Sequence, residues 1–139
     1  MTGLPAGIGS RGWLVARGVE GLLLGETLLI APGQEATVGR GSGSTFPLTR
    51  AARYRAMAAD PGKLRSACQG VSRRHFRLTV DEAGTVTVED LSRAGTFLDG
   101  ERLREPARID DLADRSHEVR FGRGERLELR WVAAPPAVH

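Results

Sequence analysis

Three stretches of this 139-residue sequence carry side chains able to hold an anion. The first is Val38-Gly39-Arg40, followed by the loop Gly41-Ser42-Gly43-Ser44-Thr45. Glycines at such a place let backbone N–H groups approach a ligand, and Arg40 can fork onto a carboxylate or phosphate through charge-assisted hydrogen bonds. The loop lacks the Gly-Lys-Ser/Thr ending of a P-loop, so a nucleotide cradle is not supported. The second stretch is Val71-Ser72-Arg73-Arg74-His75-Phe76, and the third runs Asp90-Leu91-Ser92-Arg93-Ala94-Gly95-Thr96-Phe97-Leu98-Asp99-Gly100. None of them pairs a nucleophile with a base, so the chemistry they support is binding. The charge is distributed to match. The chain holds 20 basic and 17 acidic residues, a net of +3, yet residues 40–77 alone hold nine basic and one acidic, a net of +8. Residues 1–39 and 78–139 are mildly acidic, at −1 and −4. Lys63 is the only lysine among the 20 cations; the rest are Arg, which grips carboxylate and phosphate bidentately, although a GC-rich genome produces the same bias.

The elements that must position these residues are mostly strands. Phe76, Leu78 and Val80 alternate with Arg77 and Thr79, and Leu127, Leu129 and Trp131 alternate with Glu128 and Arg130. A period of two marks strands with one face in a core and the other in water. Strands are expected at 13–16, 27–30, 36–38, 76–80, 86–88, 96–98, 119–121 and 127–131. Turn residues separate them, and Asp99-Gly100 between Phe97-Leu98 and Arg102-Leu103 reads as a two-residue hairpin. The fold class expected is all-β, an antiparallel β-sandwich. One stretch breaks the pattern: 49–59 is rich in helix formers, with Thr49 placed to cap it, Asp60-Pro61-Gly62 to end it, and Leu48, Ala52, Ala56 and Ala59 near one face. A short helix around 49–60 inserted into the sandwich is therefore expected. Trp13 and Trp131 are assigned to the core. The domain is bounded at 11–132, with 1–10 and 133–139 expected to fray.

Gly39-Arg40, Ser72-x-x-His75 and Asp90-Leu91-Ser92-x-x-Gly95-Thr96-Phe97-x-x-Gly100, in that order, resemble the forkhead-associated (FHA) domain family, over roughly residues 13–131. The resemblance implies a β-sandwich whose loops at one end bind phosphothreonine peptides. It implies that Arg40 and Ser72 contact the phosphate with help from Arg73, that His75 buttresses the loop, and that Gly39, Gly95 and Thr96 support the site's geometry. Arg93, Ser44 and Thr45 are second-rank candidates for peptide contact. A phosphothreonine carries about −1.5 to −2 charge and three acceptor oxygens, which two Arg and a hydroxyl on neighbouring loops would match. The sequence departs from the family at two places. Ala94 stands where the family usually has Asn, whose amide holds the bound peptide's backbone. The stretch from 41 to 71, 31 residues, is longer than usual and includes the expected helix. It leads directly into Ser72, and either widens the binding surface or folds over it.

The remaining chemistry is thin. Cys68 is the only cysteine, so no intrachain disulfide forms, and a reduced, cytoplasmic setting is expected. His117 stands alone, and Asp110-Asp111 with Asp114 lacks the spacing and glycine of a calcium loop, so no metal is expected. Nor is any cofactor or enzymatic activity. No apolar run nears the roughly 20 residues of a membrane helix, and no secretory signal is evident, so no membrane partner is expected. The partner implied is a phosphothreonine-containing protein or peptide, a Ser/Thr kinase or its substrate among them. Two other readings stay open: a phospho-independent or self-associating module of the same fold, and nucleic-acid binding through the basic 40–77 segment. The second is disfavoured, because that segment holds few aromatic residues for base stacking (Phe46, Tyr54 and Phe76).

Overall fold

Strands β1 (Trp13–Glu20) and β11 (Glu125–Val132) turn the two-residue period into two faces. They pair antiparallel with Leu14 opposite Trp131 and Ala16 opposite Leu129, and Leu14, Ala16 and Leu129 are fully buried. One residue beyond these pairs, Arg17 lies opposite Glu128 on the outer face and bonds it at 3.2 Å. The computed structural model describes residues 12–41 and 43–133, so Ser42 and the ends expected to fray, apart from Ala133, lie outside the described residues.

The other strands are β2 (Thr27–Ile30), β3 (Glu35–Gly39), β4 (Phe46–Pro47), β5 (Phe76–Val80), β6 (Val86–Asp90), β7 (Thr96–Leu98), β8 (Glu101–Arg102), β9 (Ala107–Ile109) and β10 (His117–Phe121). They form a six-stranded sheet, β2-β1-β11-β10-β7-β8, and a five-stranded sheet, β4-β3-β5-β6-β9. The inward side chains of both sheets make one core. Phe76 from one sheet meets Phe121 from the other edge to face, with ring centroids 5.0 Å apart. The expected hairpin forms at Asp99-Gly100, whose φ values of 51° and 87° suit a two-residue turn.

The expected sandwich is therefore present, with four corrections. First, β3 and β4 pair in parallel, Val38 opposite Phe46, so the smaller sheet is mixed. Second, β4, β8 and β9 are too short to show a period. Third, Trp13 lies opposite Val132 on the outer face and is half-buried, one residue out of phase with Leu14. Trp131 is on the inner face, half-buried against the core.

The fourth concerns the insertion. Instead of one helix over 49–59 there is a 3-10 turn (Leu48–Arg50) followed by helices α1 (Ala52–Met57) and α2 (Pro61–Ala67). Thr49 caps neither helix. Asp60-Pro61 does not end a helix but starts one: Asp60 accepts from the Lys63 N–H at 3.1 Å, and Pro61 occupies the first turn, where its missing N–H and fixed φ do no harm. Of the face Leu48, Ala52, Ala56 and Ala59, only Leu48 is buried; Tyr54, Met57 and Leu64 turn to the core instead.

The insertion is also tied to the body at both ends. Glu26, from the β1–β2 loop, accepts the Ala52 N–H at 3.1 Å and caps α1 from outside. Arg123, from the β10–β11 turn, donates to Ser66 Oγ at 2.8 Å and Gln69 Oε1 at 3.2 Å, and its own N–H donates to the Gln69 carbonyl.

Candidate functional site

Strand β3 ends at Gly39 and delivers Arg40 to the rim of the sandwich. Gly39 is required there by space: a Cβ would come within 2.0 Å of the Arg73 carbonyl oxygen. That close approach joins the first and second motifs. The Arg40 N–H donates to the Ser72 carbonyl at 2.9 Å, the His75 N–H to the Val38 carbonyl at 2.8 Å, and Ser44 Oγ to the Arg73 carbonyl at 2.5 Å.

His75 joins the second motif to the third. It is wholly buried, in contact with the Phe76 and Phe121 rings. Its Nδ1 accepts the Ser72 N–H at 3.1 Å and its Nε2–H donates to the Gly95 carbonyl at 2.8 Å. These partners assign the neutral tautomer, since Nδ1 must be free to accept. Burial lowers the imidazole's pKa below its ordinary 6.5, outweighing the pull of the Gly95 carbonyl and Asp90 in the other direction. One uncharged ring thus spans two loops.

The third motif is folded by its own first residue. Asp90 Oδ1 accepts from Ser92 N at 3.0 Å, Ser92 Oγ at 2.6 Å and Thr96 Oγ1 at 2.7 Å, and Ser92 Oγ accepts the Gly95 N–H at 2.8 Å. Burial raises the Asp90 pKa, but these donors and His75 outweigh it and hold the carboxyl below its ordinary range. Gly95 sits at φ +104°, in the left-handed region, and is buried beside Thr96. Ser72 Oγ accepts from the Arg93 N–H at 3.4 Å, which brings the second and third loops edge to edge.

Above this scaffold lies a single open trough of about 1620 Å³. Arg40, Ser72, Arg73 and Arg93 all line it, and Ala94 does too. The three Arg are exposed, so the insertion does not cover them. Gly39, His75, Gly95 and Thr96 are buried beneath and take no part in the lining. Ser44 and Thr45 lie outside it: Ser44 is spent on the Arg73 carbonyl, and Thr45 Oγ1 accepts the Thr37 N–H at 3.2 Å.

Two sets of residues stand in the sequence without an assigned role. Asp90 and Ser92, which organise the third loop, are signalled by the Asp-x-Ser spacing that favours local side-chain-to-backbone bonds. Arg65, Arg74, Tyr54 and Leu64 also line the trough, three of them from the insertion; the insertion's length signals a wider surface, but nothing local in the sequence marks which of its residues face it. His117 does not line the trough; no group of three or more His, Cys, Asp or Glu side chains placed to hold a metal ion occurs among the described residues. No helix among them is long and apolar enough to cross a membrane.

No curated protein sequence matches this chain. Solved structures do. The FHA domain of an Arabidopsis thaliana hypothetical protein is similar at a TM-score of 0.67 and 21% identity, covering 93% of each chain. The FHA domain of the Chlamydia trachomatis CT664 protein is similar at a TM-score of 0.62 and 16% identity, covering 90% of this chain and 99% of that one. The N-terminal FHA domain of Saccharomyces cerevisiae Rad53p, solved with a phosphothreonine peptide, is similar at a TM-score of 0.59 and 13% identity, covering 86% of this chain and 94% of that one. At such identities the likeness shows the fold. The family model for the FHA domain matches residues 36–115, more than half of the chain, from β3 through the three joined motifs and beyond the hairpin. With the fold and the family match in agreement, this chain belongs to the FHA domain family.

Proposed function

We propose that this domain binds phosphothreonine-containing peptides and serves as a phosphorylation-dependent interaction module. The observation that carries the reading is the meeting of Arg40, Ser72, Arg73 and Arg93 on one open trough, above a scaffold whose loops are locked by His75 and Asp90. A phosphate brings a charge of about −1.5 to −2 and three acceptors, and guanidinium forks satisfy both needs. Arg40 and Ser72 hold the phosphate, and Arg73 and Arg93 assist. The phosphopeptide carried by the Rad53p domain supports the same role for this fold. Ala94 offers no side-chain amide, so the peptide's backbone is held by the loops' own N–H groups and by Arg93.

Matched phosphorylated and unphosphorylated threonine peptide libraries, titrated by fluorescence anisotropy, test the reading. Binding is expected only with the phosphate, and Arg40→Ala is expected to weaken it by at least roughly tenfold. Equal binding of both libraries, or an unchanged affinity in Arg40→Ala, would overturn it.

A further inference from the structure

The trough is larger than one phosphothreonine needs. At about 1620 Å³ it exceeds the roughly 300–1,000 Å³ typical of a whole small-molecule pocket. Its second wall is the helical insertion, with Tyr54 and Leu64 as its apolar part and Arg65, in the last turn of α2, as its charge. This wall is held in place from outside by Glu26 and Arg123, so it stands ready before any ligand arrives.

The charge of the lining is one-sided. Five of its residues are Arg (Arg40, Arg65, Arg73, Arg74 and Arg93) and none is acidic. One phosphate at about −2 leaves roughly three of those charges without a counter-charge. Like charges gathered in one concavity focus field toward an incoming anion. Hence an occupant that brings further negative charge beside the phosphate matches the lining better than a single phosphate does.

We infer that the insertion is a specificity wall: the trough selects phosphothreonine segments with Asp or Glu flanking the phosphorylated residue, and Arg65 reads one of those carboxylates. The inference rests on the phosphothreonine reading above and adds the chemistry of the flanks and the residue that recognises it. Arg40 serves the phosphate and Arg65 serves the flank, so the two are separable.

The test uses two peptide pools with a central phosphothreonine, one with flanks restricted to Asp and Glu and the other to Ala and Gln, titrated at one fixed salt concentration. The wild type is expected to bind the acidic pool about tenfold more tightly. Arg65→Ala and Arg65→Gln are expected to erase most of that preference, weakening the acidic pool several-fold more than the neutral one. Arg55→Ala removes an exposed charge on α1 outside the trough and is expected to keep the preference. Equal affinity of the wild type for both phosphorylated pools overturns the inference and leaves the phosphothreonine reading standing. Loss of the preference in Arg55→Ala to the same degree as in Arg65→Ala also overturns it, because the effect is then general attraction. If neither pool binds better than its unphosphorylated counterpart, the phosphothreonine reading fails and this inference with it.

Discussion

His75 and His117 sit on the same scaffold, the first held as a neutral ring and the second favoured as a cation. His75 is buried among Phe76 and Phe121, accepts from a backbone N–H on one side and donates to a carbonyl on the other. His117, on β10, meets carboxylates on both sides: Asp99 Oδ2 lies 2.5 Å from Nδ1 and Asp111 Oδ1 2.7 Å from Nε2. Carboxylates only accept, so both ring nitrogens donate and the ring is an imidazolium. Burial pushes its pKa down, but the hydrogen bonds and charges of Asp99 and Asp111 outweigh it, and the pKa rises above 6.5. The first ring joins the loops under the trough; the second ties the β7–β8 hairpin to the segment before β10. Identical side chains become a neutral strut and a cationic staple because of the partners the fold brings to each ring.

The largest way to break this comparison is His75→Ala. It leaves a cavity and strips partners from the Ser72 N–H and Gly95 carbonyl, so unfolding free energy is expected to fall by about 3–5 kcal/mol in chemical denaturation. Whatever fraction stays folded should bind a phosphothreonine peptide at least roughly tenfold more weakly, since Ser72 loses its anchor. His117→Ala is expected to lower stability by only about 1 kcal/mol, because Asp99 and Asp111 are partly exposed and solvent screens them, and to leave peptide affinity unchanged. An equal loss of affinity in both variants would mean that His75 has no special link to the site.

Dependence on pH sharpens the contrast, because the two signs oppose. The folded pKa of His75 is lowered, so its share of stability is complete above 6.5 and is lost as pH falls toward the folded value. The folded pKa of His117 is raised, so its share is complete below 6.5 and is lost as pH rises through the folded value. Both variants lie below wild type, but the gap in denaturant midpoint should change with pH in opposite senses between about pH 5 and 8: it narrows toward acid for His75→Ala and narrows toward alkali for His117→Ala. Parallel difference curves would refute the assignment of charge states. Asp111→Asn is the smallest change expected. It is expected to weaken the staple less than His117→Ala and to bring the thermal unfolding midpoint closer to pH independence on the alkaline side.

Much of the fold was legible because burial on one face imposes a period that needs no knowledge of partners. β5, β6, β10 and β11 follow from alternation, and the hairpin from Asp99-Gly100. Trp13 was misplaced because bulk and hydrophobicity outweighed phase: Leu14 and Ala16 already claimed the inner face. The split of the expected helix turned on Asp60-Pro61, which is compatible with a stop or a start. Only the docking of Tyr54, Met57 and Leu64 onto the core selected the start, by fixing where the chain must turn. Of the site, Arg40, Ser72, Arg73 and Arg93 stood out as types in a recurring order, whereas Arg65 and Arg74 looked like any exposed cations.

What this sequence determined alone is what short range can encode: strands with an inner and an outer face, a tight hairpin, a glycine before an arginine, and a basic segment of net +8 from 40 to 77. What tertiary structure decided is which distant groups meet. Asp99 and Asp111 reach His117, Ser72 and Gly95 reach His75, and the insertion is held by Glu26 and Arg123 so that Arg65 faces the trough instead of covering it. Protonation, burial and the outline of a site depend on distances of a few ångströms between residues far apart in the chain, and those distances exist only once both sheets have closed on one core.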